Sequence, residues 1–168
     1  MSKDLKALVP SAVLCYYYNI FFSAEIKVNP LLHLTLKHLS TCDYKVLKEL
    51  SHIAKNLYNQ GLYIVRQHFF SHNEYLSYAK NYSLLKQSEN YKIINSNMAH
   101  QILKEVDDVF KSFFGLLKLA KSGKYIYSDI SMPGYLKKDG FTTLVIGFVR
   151  LNDNTLTIPY SNSYKKDH

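Results

Sequence analysis

Two stretches of this chain place apolar residues every three or four positions over several turns, and that periodicity constrains the fold more than any other feature. In the first, Val46, Leu50, Ile53, Leu57, Gly61, Ile64 and Phe69 predict one long helix from Asp43 to about Phe70. In the second, Ala99, Ile102, Val106, Val109, Phe113 and Leu117 predict a helix capped by Asn95 or Ser96, running to about Ser122 and stopped by Gly123. A shorter helix is expected over Ser77–Gln87, with Tyr78, Tyr82 and Leu85 inward and the Ser88-Glu89-Asn90 cluster ending it.

The flanks have a different rhythm. Residues 32–39 alternate apolar with polar, the pattern of a half-buried strand, and Ser40, Thr41 and Asp43 follow as N-cap candidates. Beyond Gly123, Met132-Pro133-Gly134-Tyr135 and Lys138-Asp139-Gly140 are turn signals. Thr142–Arg150 and Thr155–Pro159 read as strands joined by a hairpin loop at Asn152-Asp153-Asn154. The expected organisation is an N-terminal extension (1–30), a first strand (31–42), a helical domain of three helices (43–123), a second strand region (124–160) and a frayed tail (161–168). That order gives an α+β chain, with one unit inserted into the other or the two side by side. The strand at 32–39 should pair with strands from 141–159, bringing Leu34 and Leu36 near Val145 and Phe148, because a lone strand leaves its backbone groups unpaired.

Composition narrows the partners. Twenty-one Lys and Arg against thirteen Asp and Glu give a net charge of +8 and a pI near 9.3, which favours nucleic acid or an anionic membrane. Fifteen Tyr and nine Phe with no Trp supply rings that stack on bases or fill half-buried surface. Cys15 and Cys42 form no C-x-x-C, so no zinc ribbon is encoded, and two reduced thiols suit a cytoplasmic protein. Residues 1–24 have the outline of a signal peptide, but Pro10 and Asn19 interrupt an apolar run that is too short to span a bilayer. That segment reads as an irregular or hairpin-like extension, or as an upstream start of the frame. No repeat at solenoid periods is present.

Catalytic constellations are sparse. The cysteines lie beside no local nucleophile signature. Asp107 and Asp108 are adjacent on a helix and diverge by about 100°, so they cannot simply share one ion; Glu105 and Asp108, three apart, could, but the better reading of these carboxylates is a solvated helical face. His68 and His72 have metal-ligand spacing but no third ligand. More informative are two polar stripes opposite the apolar ones: Lys48, Lys55, Asn59 and Arg66 on the first long helix, and Asn97, Gln101, Lys104, Lys111 and Lys118 on the second, diluted by Asp108. Lysines at such reach meet phosphates, while Asn and Gln read base edges. The plainer reading is that each stripe is the wet face of an amphipathic helix.

Several runs resemble the N-terminal region of the TnpB, or OrfB, proteins of insertion-sequence 200/605-type transposons. These are Ile53-Ala54-Lys55-Asn56-Leu57-Tyr58-Asn59, Arg66-Gln67-His68-Phe69-Phe70, Ser88-Glu89-Asn90-Tyr91, and a segment with Ser96, Ala99, Gln101 and Leu103. Val106-Asp107, Phe110-Lys111-Ser112-Phe113-Phe114 and Pro133-x-Tyr135-x-Lys137-Lys138-Asp139-Gly140 follow in order. The resemblance spans about Leu34 to Gly140, with a looser continuation to Pro159. It implies a small split β-barrel, the wedge, interrupted by a helical recognition domain that grips guide RNA and reads a motif flanking the target. The family's RuvC-like nuclease and its zinc ribbon have no counterpart in the 168 residues, and His100 stands where a second Gln is common.

The expected function is therefore nucleic-acid binding by a truncated or decayed TnpB-like product that is not an enzyme, uses no cofactor or metal, and has guide-type RNA or target-flanking DNA as partner. A separately encoded nuclease half would complete it. The expected binding residues are Lys55, Asn59, Arg66, Asn97, Gln101, Lys104, Lys111, Lys137 and Lys138, with cations on phosphate and Asn59, Asn97 and Gln101 toward bases. The alternative is a helical protein-interaction module with no nucleic-acid role; a third reading, a secreted or membrane-associated protein, rests on residues 8–24.

Overall fold

Ser40 opens the helical part of the molecule. Its hydroxyl oxygen accepts the Asp43 amide at 3.0 Å and its proton goes to the Asp43 carboxylate at 2.7 Å, satisfying an otherwise orphaned N–H. Helix α1 (Thr41–His72) runs from there and stops at Asn73, whose left-handed backbone, φ 54°, lets its N–H reach Phe69 O at 2.8 Å. The computed structural model describes residues 5–8, 24–29, 32–36, 39–152 and 155–167. Two short helices follow, α2 (Tyr78–Leu85) and α3 (Glu89–Ile93). The Ser88 cluster does end α2, but it also starts α3: Ser88 Oγ accepts the Tyr91 amide at 3.3 Å. Helix α4 (Ser96–Lys121) begins at Asn95, whose side chain accepts the Asn97 amide at 2.9 Å, and ends just before Gly123 at φ 73°.

The core lies between α1 and α4. Ala54, Leu57, Leu62 and Val65 meet Ala99, Ile102, Leu103, Val106 and Phe110, all at most 2% exposed. Close approach depends on Gly61: a Cβ there would come within 3.0 Å of Leu103 Cδ2 and 3.4 Å of Val106 Cγ2. Leu85, Tyr91 and Ile94 close one side of this core, and Leu156 and Ile158 join it from the C-terminal part of the chain.

The expected split β-barrel does not form, and the fold is mostly helical. Strand β1 (Leu5–Leu8) pairs antiparallel with β5 (Thr155–Ile158), which also pairs with β4 (Arg150–Asn152). Separately, β2 (Ala24–Asn29) and β3 (Leu32–Leu36) form a two-stranded hairpin. Leu34 and Leu36 thus pair with Ile26 and Ala24, not with the C-terminal strands. The N-terminal segment supplies the pairing that the sequence pattern assigned to residues 141–159. The expected strand Thr142–Arg150 is also absent up to Val149; that stretch is irregular, bends at Gly147 and pairs with no strand among the described residues. Burial alternates there from Thr142 to Gly147, with Leu144 and Ile146 packed on the core and Val145 exposed, and then slips by one residue, so that Phe148 is exposed and Val149 packs inward.

The tail is not frayed throughout. Helix α5 (Asn162–Asp167) is anchored by Tyr164, 3% exposed, whose hydroxyl donates to Glu49 at 3.1 Å, and by Ser161 Oγ donating to Ile93 O at 2.5 Å. The leader-like outline of residues 1–24 falls mostly on 9–23, outside the described residues. No helix among the described residues is long and apolar enough to cross a membrane.

Candidate nucleic-acid interface

From Lys55 to Arg66 the polar stripe of α1 faces the chain's own backbone, while Lys48 at its start is exposed. Residues 133–142, called here the strap, lie along that stripe in the opposite direction. Arg66 Nη1 donates to Pro133 O at 2.9 Å. Asn59 makes a paired contact, donating to Leu136 O at 3.0 Å and accepting the Leu136 N–H at 2.9 Å. Lys55 Nζ donates to Lys138 O at 2.5 Å, His52 Nδ1 lies 3.3 Å from Gly140 O, and Ser51 Oγ donates to Thr142 O. Among the described residues no strand pairs with the strap, and these side chains satisfy peptide groups that a sheet would otherwise pair. A turn closed by Gly140 N–H to Lys137 O at 2.9 Å bends it at the Lys-Lys-Asp-Gly signal.

This changes the meaning of three expected binding residues. Lys55, read as solvent-facing, is 3% exposed. Asn59 and Arg66 are half-buried, with the polar atoms meant for bases and phosphates occupied by Leu136 and Pro133. The runs around Lys55–Asn59 and Pro133–Gly140, both part of the TnpB resemblance, are thus the two halves of one contact. Spacing placed the stripe correctly but could not show that a distant segment covers it.

Lys137 and Lys138 are exposed on the strap's turn, and only the Lys138 carbonyl is engaged by Lys55. On α4, Asn97, Lys104, Lys111 and Lys118 are exposed, while Gln101 is half-buried. Gln101 and Lys104 line an open groove of about 380 Å³ with Glu105, Asp108 and Val145. Val145 belongs to the stretch that continues the strap, so the same piece of chain runs from α1 to α4; further on, Gly147 lies against Asn97. The groove carries both signs of charge, and burial raises the Glu105 pKa.

Lys111 has another partner. Its ammonium lies 2.5 Å from Asp107, which is itself 7% exposed. Asp107 also accepts the Tyr75 hydroxyl and, at 2.9 Å, the Tyr78 amide. The expectation of a solvated Asp107 is corrected: it is a buried acceptor joining α4 to the start of α2. Burial opposes its ionisation, but hydrogen bonds from Lys111 and Tyr75 outweigh that and hold its pKa below the usual value. The same pairing raises the Lys111 pKa.

A second polar cluster was not anticipated. His100 sits among three tyrosines, with Tyr78 hydroxyl at Nδ1, Tyr91 hydroxyl 3.3 Å from Nε2, and the Tyr82 ring stacked at 4.9 Å. The two ring nitrogens thus face two different hydroxyls at once. Burial and nearby tyrosines push Tyr91 up to about 12. His68 and His72 stack at 4.5 Å on the last turn of α1, and among the described residues no group of three or more His, Cys, Asp or Glu is placed to hold a metal. Set against known proteins, the chain matches no family model, no curated protein and no solved structure.

Proposed function

We propose that this chain binds nucleic acid through the outer surface of the strap and the exposed edge of α4, without cutting it. The observation that carries this reading is a set of exposed cations, Lys104, Lys118, Lys137 and Lys138, on a chain of net charge +8. Gln101 beside Lys104 and Asn97 one turn earlier retain the make-up of a base-reading edge. Lys55, Asn59 and Arg66 act indirectly, by holding the strap in place. The TnpB-type reading, with guide RNA or target-flanking DNA as partner, rests on the sequence runs quoted above.

Fluorescence-anisotropy titration of the full chain against labelled RNA and duplex DNA tests the proposal. Binding that weakens steeply with salt is expected, since each phosphate contact releases condensed cations. No cleavage is expected with magnesium or manganese, because two-metal phosphodiester chemistry needs clustered carboxylates. Absence of binding at low salt would instead favour the interaction-module reading. That reading has its own support in Leu119 on the last turn of α4 and in Tyr125, Ile126 and Tyr127 just after it, four large apolar residues left exposed close together in sequence.

A further inference from the structure

The outer side of the strap and its continuation carries rings as well as charge. Tyr135, Phe141 and Phe148 are 47%, 48% and 52% exposed, and Phe70 on the neighbouring turn of α1 is 61% exposed. Each has a cation near its ring. Arg66 Cζ lies 4.9 Å from the Tyr135 centroid and 5.9 Å from that of Phe70. Lys48 Nζ is 5.5 Å from the Phe141 ring, and Arg150 Cζ is 5.8 Å from that of Phe148. Arg66 is itself hydrogen-bonded to Pro133 O, which places the cation beside both rings. We infer that this surface takes single-stranded nucleic acid in preference to duplex, with unpaired bases stacking on Phe70, Tyr135, Phe141 and Phe148 and with Lys48, Lys137, Lys138 and Arg150 meeting phosphate.

The inference rests on the nucleic-acid reading above and narrows it. Stacking on protein rings needs base faces, and a duplex hides all but those at its ends. From Lys48 to Arg66 the supporting helix rises about 27 Å, room for several unpaired nucleotides. Lys137 and Lys138 lie between the Tyr135 and Phe141 rings in sequence, giving the alternation of cation and aromatic that single strands use. Such alternation suits a lipid surface less well, since insertion there favours contiguous apolar area.

The test compares an oligo-dT of about ten nucleotides with a blunt duplex, using wild type and the Phe141→Leu/Phe148→Leu variant, with circular dichroism to verify the fold. Leucine retains apolar contact but has no planar face. Single-strand affinity is expected to fall about five-fold or more per ring, with duplex affinity unchanged. Phe141→Trp places the only tryptophan in the chain on this surface; it should bind oligo-dT at least as well, and its emission should be quenched on binding. Unchanged single-strand affinity in the double Leu variant, equal loss for both ligands, or an unquenched tryptophan overturns the inference while leaving nucleic-acid binding standing. Failure of wild type to bind either ligand removes the broader reading instead. Binding to phosphatidylserine vesicles that is lost in the same variant would reassign the surface to lipid.

Discussion

Asp107 and Asp108 are neighbours with different fates. Asp108 is exposed beside the α4 groove, whereas Asp107 lies one turn from both Leu103 and Phe110 and therefore points into the protein. That helical position was readable in the sequence; its partners were not, since Tyr75 and Tyr78 arrive from another element. Replacing Asp107 with Ala should destabilise the fold by about 1–3 kcal/mol, the cost of leaving buried donors unpaired. Its pKa is lower in the folded than in the unfolded chain, so its contribution is complete above the unfolded value and lost as pH falls through the folded one. Asp107→Asn should accordingly flatten the acid limb of a stability-against-pH curve measured by urea unfolding. An acid limb identical to wild type would remove Asp107 from that role. Lys111→Gln would disturb the same network, so Lys111 is a poor probe of phosphate binding alone.

The helices were legible because their signals are local: apolar spacing for α1 and α4, capping side chains at Ser40 and Asn95, and a positive-φ glycine at 123. The strap was not. Burial alternates like a strand's from 142 to 147 before slipping at Phe148, yet the backbone groups at 133–142 meet side chains of a helix rather than another strand. Alternation reports which side chains are inward and says nothing about what the peptide groups pair with. Asn59 is the centre of that pairing, as it satisfies both the N–H and the C=O of Leu136. In an Asn59→Leu variant the Leu136 amide should exchange with solvent faster, by roughly five- to a hundred-fold if about 1–3 kcal/mol of local stability is lost. Trypsin should also cut faster after Lys137 or Lys138. Unaltered exchange and proteolysis would mean that packing, not these hydrogen bonds, holds the strap.

For the whole molecule, the sequence indicated a basic, Tyr-rich chain suited to polyanions, and Lys104, Lys118, Lys137 and Lys138 are exposed. What spacing could not separate is that a face can be polar for two reasons, contact with water or contact with the chain's own backbone. Lys55 is the clearest case, a cation whose neighbour in space lies 83 residues away in sequence. The measurement that most directly tests the resulting account is the salt dependence of nucleic-acid affinity in three proteins: wild type, Lys104→Gln/Lys137→Gln, and Lys55→Met. If the exposed edge of α4 and the strap turn meet phosphate, the double variant should have a log–log slope shallower by about 1.4 on a single strand or about 1.8 on duplex, two contacts' worth. Lys55→Met, which changes a cation already turned inward, should keep the wild-type slope. A double variant with the wild-type slope, combined with a shallower slope for Lys55→Met, would contradict the account and return the interface to the stripe that the strap covers.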